Sequence, residues 1–194
     1  MIVSRLQIKF FAADPVDLAV FNGIFQRWIQ QKKLDGLLID VADYRHVFQG
    51  PGVILIGHEA DYGMDMGAGR LGLLYTRKRH HDTDLQQQLR SSFHLALAAC
   101  HALEGEPELL GKLKFRADEV EIRFADRLRL PNTPDALEKV RGDLNAALAE
   151  IYGGAPFSFA AASDDPRQVF TVRVTAAGAG TVSDLLRRRV ESPV

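Results

Sequence analysis

The chain has 194 residues, 46% hydrophobic and 25% charged, which suits one large domain or two small ones sharing a core. A formal net charge of −1 argues against a dedicated nucleic-acid binder or a polybasic membrane anchor. A single cysteine, Cys100, excludes an intramolecular disulfide and points to a reducing cytoplasm, and no stretch approaches the ~20 apolar residues that span a bilayer.

Leu6, Ile8 and Phe10 alternate with Gln7 and Lys9, the pattern of a half-buried strand and not of a signal peptide. Asp14-Pro15 predicts a helix start, with the carboxylate as cap and the proline at the first helical position. Leu18, Phe21, Phe25, Trp28 and Ile29 then make one apolar stripe, and Gly36 predicts its end. Leu37, Ile39 and Val41 mark a second strand, with Asp40, Tyr44 and His46 leaning to its other face. After the turn Gln49-Gly50-Pro51-Gly52, the run Val53–Ile56 is apolar on both faces and predicts a central strand. Asp61 to Tyr75 predicts a hairpin turning at Gly67-Ala68-Gly69-Arg70. Asp82 or Thr83 caps a long helix that carries Leu85, Leu89, Phe93, Ala96, Cys100 and Leu103.

A second unit follows the candidate boundary at 104–111. It comprises a strand at Val120–Phe124, a helix at Thr133–Tyr152, strands near Phe157–Ala161 and Val169–Val174, and a short helix capped by Thr181 and Asp184. Both units share the order strand, cap-Pro-x-x-Leu helix, strand, loop, strand. The expected fold is therefore α+β: two ferredoxin-like βαββ repeats, 1–110 and 111–194, with a mainly antiparallel sheet and helices on one face. The pattern alone carries this; no motif of a named family does.

Laying the second copy on the first puts Phe170 on Ile54, Val172 on Ile56 and Val174 on His58. His58 is thus expected on the inward row of a core strand, where its counterpart is a valine. Near it in sequence stand Glu59, Asp61, Tyr62 and Asp65, and from the preceding strand Asp40, Asp43, Tyr44 and His46; the second copy has Phe157-Ser158-Phe159-Ala160 instead. An imidazole beside carboxylates is the recipe for a general base or a metal ligand. Under that reading His58, Glu59 and Tyr44 are catalytic, and His46, Asp61, Tyr62, Arg70 and Arg77 bind a ligand. His58, His46 and Asp61 would then be the ligands of a metal. The opposing reading is a satisfied core histidine beside an acidic strand end, and no spacing matches a zinc pattern: Tyr62 stands where His-Glu-x-x-His needs its second histidine.

Gly67-Ala68-Gly69-Arg70-Leu71-Gly72 spells the dinucleotide fingerprint, but a strand follows it where a helix is required. The basic run Arg77-Lys78-Arg79-His80-His81 precedes a helix, as an anion site would, although a solvated charge run, partly neutralised by Asp82 and Asp84, is the preferred explanation. An acyltransferase-like fold fits the strand order but lacks its glycine-rich turn. His94, Leu97 and His101 allow a haem or flavin reading that no spacing singles out, and the cofactor stays unassigned. The leading expectation is a non-catalytic cytoplasmic binding or assembly protein, homodimeric through exposed strands such as Val120–Phe124. A metal- or histidine-dependent hydrolase or isomerase at His58/Glu59/Asp61 is the alternative.

Overall fold

The computed structural model describes residues 2–79 and 82–190. In chain order it contains β1 (Leu6–Ala12), α1 (Ala19–Gln31), β2 (Leu38–Tyr44), β3 (Gly52–Gly57), β4 (Ala60–Asp65) and β5 (Gly72–Arg77). Then come α2 (Leu85–Glu104), β6 (Phe115–Phe124), α3 (Ala136–Tyr152), β7 (Phe157–Ala161), β8 (Phe170–Ala176) and α4 (Val182–Val190). The described residues thus form four helices and one antiparallel sheet of eight strands, ordered β2-β3-β4-β5-β1-β6-β8-β7.

The sheet is held by rows that cross it. Leu55, Tyr62, Tyr75, Ile8, Ile122 and Val172 are successive register partners and all are buried. Val53, Met64, Leu73, Phe10, Val120 and Val174 make a second such row. Side chains alternate across a strand, so these rows share one face, and it is the face that meets the helices. Phe10 packs edge-on against Phe93 of α2 with centroids 5.9 Å apart. Elsewhere α1 lies against β2 and β3, α3 against β7 and β8, and α4 against β6. The apolar stripe of α1 is buried as expected, and Trp28 fixes the helix further by donating Nε1–H to Glu106 Oε1 at 2.6 Å.

Several local expectations shift. α1 begins at Ala19, whose N–H is accepted by Asp17, and not at Asp14-Pro15. The chain beyond β1 is still tied down there, by Ala13 N–H to the Lys114 carbonyl, and needs 14–18 to reach the helix. α1 ends at Lys32, in the left-handed region at φ 51, ahead of Gly36. Asp84 caps α2 through Gln87 N–H, in place of Asp82 or Thr83. The capping box at Thr181 and Asp184 forms, each side chain accepting from the other's backbone N–H at 2.8 and 3.2 Å. Val120–Phe124 belongs to β6, which is paired on both sides by β1 and β8, so it offers no edge to a second chain.

Two corrections concern the repeat. In β3 the buried residues are Val53 and Leu55, whereas Ile54 and Ile56 are half-exposed on the other face. In β8 Phe170, Val172 and Val174 are buried, so the alignment matched opposite faces. A one-residue slip does this, because side chains alternate with period two. The strand orders differ as well: β8 lies beside β6, while β4 and β5 stand between β3 and β1.

The other face of β1 carries a charge into the structure. Lys9 is 0% exposed and donates to Asp65 Oδ2 at 2.6 Å and to the carbonyls of Arg70 at 2.6 Å and Gly67 at 3.2 Å. A β-carbon at Gly72 would stand 2.5 Å from the Phe10 carbonyl oxygen and 3.0 Å from Lys9 Cε, so only glycine lets β5 pass the lysine. Arg70 extends the network. Its guanidinium lies 3.6 Å from the Phe11 ring centroid and grips Glu119 with two bonds of 2.7 and 2.9 Å. Glu121 joins Arg173 and Arg123 at 3.0 and 3.1 Å.

Removing one partner of a buried ion pair leaves the other uncompensated, at a cost of ~3–5 kcal/mol. Lys9→Met should therefore lower unfolding stability by about 3 kcal/mol or more in urea titration. The Arg70 bonds hold Glu119 below its ordinary 4.5, and the bonds from Arg173 and Arg123 outweigh burial to do the same for Glu121. Such carboxylates lend stability above their unfolded value and withdraw it as pH falls through the folded one. The melting temperature should accordingly drop between about pH 5 and pH 3, and less steeply in an Arg70→Ala variant, whose pH 5 value starts lower.

Candidate functional site

The β3–β4 turn places the sequence-predicted corner. β3 ends at Gly57, and His58 and Glu59 alone connect it to β4. The turn is tight enough that a β-carbon on Gly57 would lie 2.4 Å from the Ala60 carbonyl oxygen. His58 is therefore not on an inward strand row: it is exposed, its N–H bound to the Leu37 carbonyl and its ring against the Arg79 guanidinium. Asp61, on the far face of β4, accepts from Lys78 Nζ at 2.6 Å and from Gly57 N–H at 3.2 Å. Tyr44, the last residue of β2, and His46, just beyond it, lie at the opposite end of the β2–β3 pair, their rings 6.3 Å apart. A six-residue strand, about 17 Å long, separates that end from His58, so His46, His58 and Asp61 cannot share one ion. No group of three metal-ligating side chains occurs among the described residues.

Glu59, Tyr62 and Arg77 do converge. With Asp35, Gly36, Leu37 and Leu95 they line a cavity of about 80 Å³ between the α1–β2 loop, the β3–β4 turn and α2. Tyr62 is 2% exposed, its ring edge-on to Tyr75 at 5.4 Å, and burial pushes its phenol well above the ordinary range. Arg77 is 9% exposed; its Nη1 donates to the Tyr75 hydroxyl at 3.3 Å, and Nη2 lies 3.9 Å from Asp82. Its Nε–H and Asp82 Oδ2 are buried and find no hydrogen-bond partner among the described residues. Ligand sites usually enclose ~300–1,000 Å³, and this space holds only a few water-sized groups. His80 and His81, the end of the basic run, lie outside the described residues.

The remaining candidates are committed to the structure. Arg70 is spent on Phe11 and Glu119 and is not free to seize an anion. The glycine-rich stretch makes the hairpin turn between β4 and β5, with Ala68 at φ 58 and Gly69 at φ 69, and a strand follows it. His94 and Leu97 line a space of about 50 Å³ between α2, α3 and α4, too small for a flat macrocycle, while His101 bonds Ser183 on the exposed side. Cys100 is fully buried, and burial pushes its thiol well up, so it is no nucleophile.

Lys9 and its partners are the polar cluster that sequence reading missed. An uncharged lysine beside a carbonyl is a nucleophile, but the three N–H bonds of Lys9 are all taken and it has no lone pair to offer. Its presence was hidden by its place in an alternating strand, where period two assigns it to solvent.

Surface apolarity is distributed unevenly. Among the described residues the exposed large hydrophobic side chains are Leu37, Ile39, Tyr44, Val47, Phe48, Leu110 and Leu128. The first five belong to β2 or its immediate flanks, at the unpaired edge of the sheet, with Phe48 89% exposed. Leu37 and Ile39 flank the buried Leu38 and point away from it, as alternation along the strand requires. No family model, curated protein or solved structure matches this chain.

If His58 held a metal with His46 and Asp61, replacing it would empty the site. The geometry predicts that His58→Ala leaves the metal content of untagged protein unchanged by elemental analysis. A stoichiometric metal lost on that substitution would contradict the separation of the two histidines.

Proposed function

We propose that this is a non-catalytic binding and assembly protein, acting in the cytoplasm, that meets a protein partner along β2 and the β2–β3 loop. In this reading all four helices cover the Ile8/Phe10 face, and the two β-α-β units descend from one module, the first enlarged by the β4–β5 hairpin. The sheet then has two free edges and one helix-free face as working surfaces.

The observation that carries the proposal is the gathering of Leu37, Ile39, Tyr44, Val47 and Phe48 at one edge. Exposed apolar side chains scattered singly need no explanation, but a concentration along one sheet edge and its loop fits a partner whose own apolar side chains pack against it. The acidic side chains there favour a basic partner segment: among the described residues Asp40 bonds only the neighbouring Val41 N–H, and Asp35 stands before the strand. Binding is favoured over hydrolysis because the histidine, carboxylate and arginine groups of the corner are distributed among separate partners. Among the described residues no nucleophile stands beside a base that a third group orients.

A photo-crosslinking amino acid at Phe48 should trap one discrete heavier adduct in cells. The same group at Leu128, 98% exposed on the β6–α3 connection, should not, and Ile39→Asp should abolish the Phe48 adduct while leaving the circular dichroism spectrum intact. Equal crosslinking from Phe48 and Leu128, or none from either, would contradict the proposal.

A further inference from the structure

The opposite edge of the sheet has a different character. β7 is Phe157-Ser158-Phe159-Ala160-Ala161: no charge, no proline and no register shift against β8. Natural proteins blunt an edge strand with charges, prolines or bulges, because a bare row of N–H and C=O groups accepts another strand. β2 has such devices, a bulge after Leu38 and the carboxylates of Asp40 and Asp43; β7 has none.

Which groups are bare follows from the ladder. Ala162 N–H bonds the Thr171 carbonyl, and Ala177 N–H bonds the Pro156 carbonyl. Antiparallel pairs alternate between bonded and non-bonded, so 156, 158, 160 and 162 face β8 with their backbone groups. Phe157, Phe159 and Ala161 therefore turn their N–H and C=O groups outward, away from the sheet.

We propose that this edge pairs with β7 of a second copy of the chain, antiparallel across a two-fold axis at Phe159. In that register Phe159 opposes Phe159 of the partner, and Phe157 opposes Ala161. Each of these oppositions exchanges two backbone bonds, so the axis pair and its two flanking pairs satisfy every outward donor and acceptor of both strands. Ser158 falls opposite Ala160 on the helix-free face, so nothing charged meets a like charge. Two aromatic rings meet at the axis, a favourable cross-strand pair. Of the cations nearby, Arg141, with its guanidinium 5.7 Å from the Phe159 ring centroid, is already paired with Glu138 at 2.6 Å, and Arg173, the β8 register partner of Ala160, with Glu121 at 3.0 Å. A second copy suits this edge better than an unrelated strand because the register is self-complementary without any adjustment. The junction continues the sheet of one copy into that of the next, and closes as a dimer because the operator is two-fold. It leaves β2 free, so it stands apart from the partner-docking reading of that edge.

Solution mass tests this. Light scattering on the chromatographed full chain should give twice 21.5 kDa at micromolar concentration. Ser158 and Ala160 are exposed, so a Ser158→Glu/Ala160→Glu variant keeps the fold and should run at the single mass, each introduced glutamate facing another across the junction. A Ser158→Lys/Ala160→Lys variant should do the same, and an equimolar mixture of the two should regain the doubled mass. Ile39→Asp should leave the doubled mass untouched. A wild-type chain at single mass throughout overturns the proposal, as does a glutamate variant that stays doubled. A mixture that remains single overturns the register, and a mass halved by Ile39→Asp moves the junction to β2.

Discussion

The ion pair between Lys9 and Asp65 is the constraint on which the rest of the sheet is arranged. β1 lies at the centre, where strands from the first and second halves of the chain meet. Its helix-facing residues are ordinary core, but on its other face an ammonium group is shut away from water. That is tolerable because one carboxylate and two carbonyls take its three protons. Gly67 and Arg70 supply those carbonyls, so the pair also fixes the β4–β5 turn. The turn then directs the Arg70 guanidinium onto Phe11 and Glu119. One buried charge thereby ties β1, β4, β5 and β6 together on the side that no apolar row secures.

The charged groups on the Lys9 side of the sheet are joined to one another, from Lys9 and Asp65 through Arg123, Glu121 and Arg173 to Glu119 and Arg70. Groups so engaged have no capacity left for a substrate. What remains unspent lies at the margins: the apolar flanks of β2 and the bare backbone of β7. Edge strands are where a sheet meets other chains, so the binding and assembly role we propose rests on these margins.

Much of this was legible from periodicity. The stripes of α1 and α2, the alternation of β1, the glycine turn between β4 and β5, and the Thr181–Asp184 box are local patterns, and each forms where local physics puts it. The misplaced elements depend on long-range pairing. His58 was assigned to an inward row because Ile54 and Ile56 look as buried as Val53 and Leu55; nothing in an all-apolar run reveals which alternate set faces the helices. His46 and His58 lie close in sequence yet at opposite ends of a hairpin, because one strand is enough to part them. Lys9 reads as a surface residue until the turn that caps it is known, since its partners are 56 or more residues away. The convergence of Glu59, Tyr62 and Arg77 was foreseeable as a neighbourhood, but the small size of the space they enclose was not.

Residue-resolved amide hydrogen exchange under native conditions tests the central claim most directly. If β1 and its buried ion pair organise the sheet, the amides of Ile8, Lys9 and Phe10, with those of Val120 and Ile122 in β6, exchange only through global unfolding, while those in β2 exchange by local opening. Central amides that exchange as fast as those of β2 would show that the sheet does not depend on this strand, and would contradict the account.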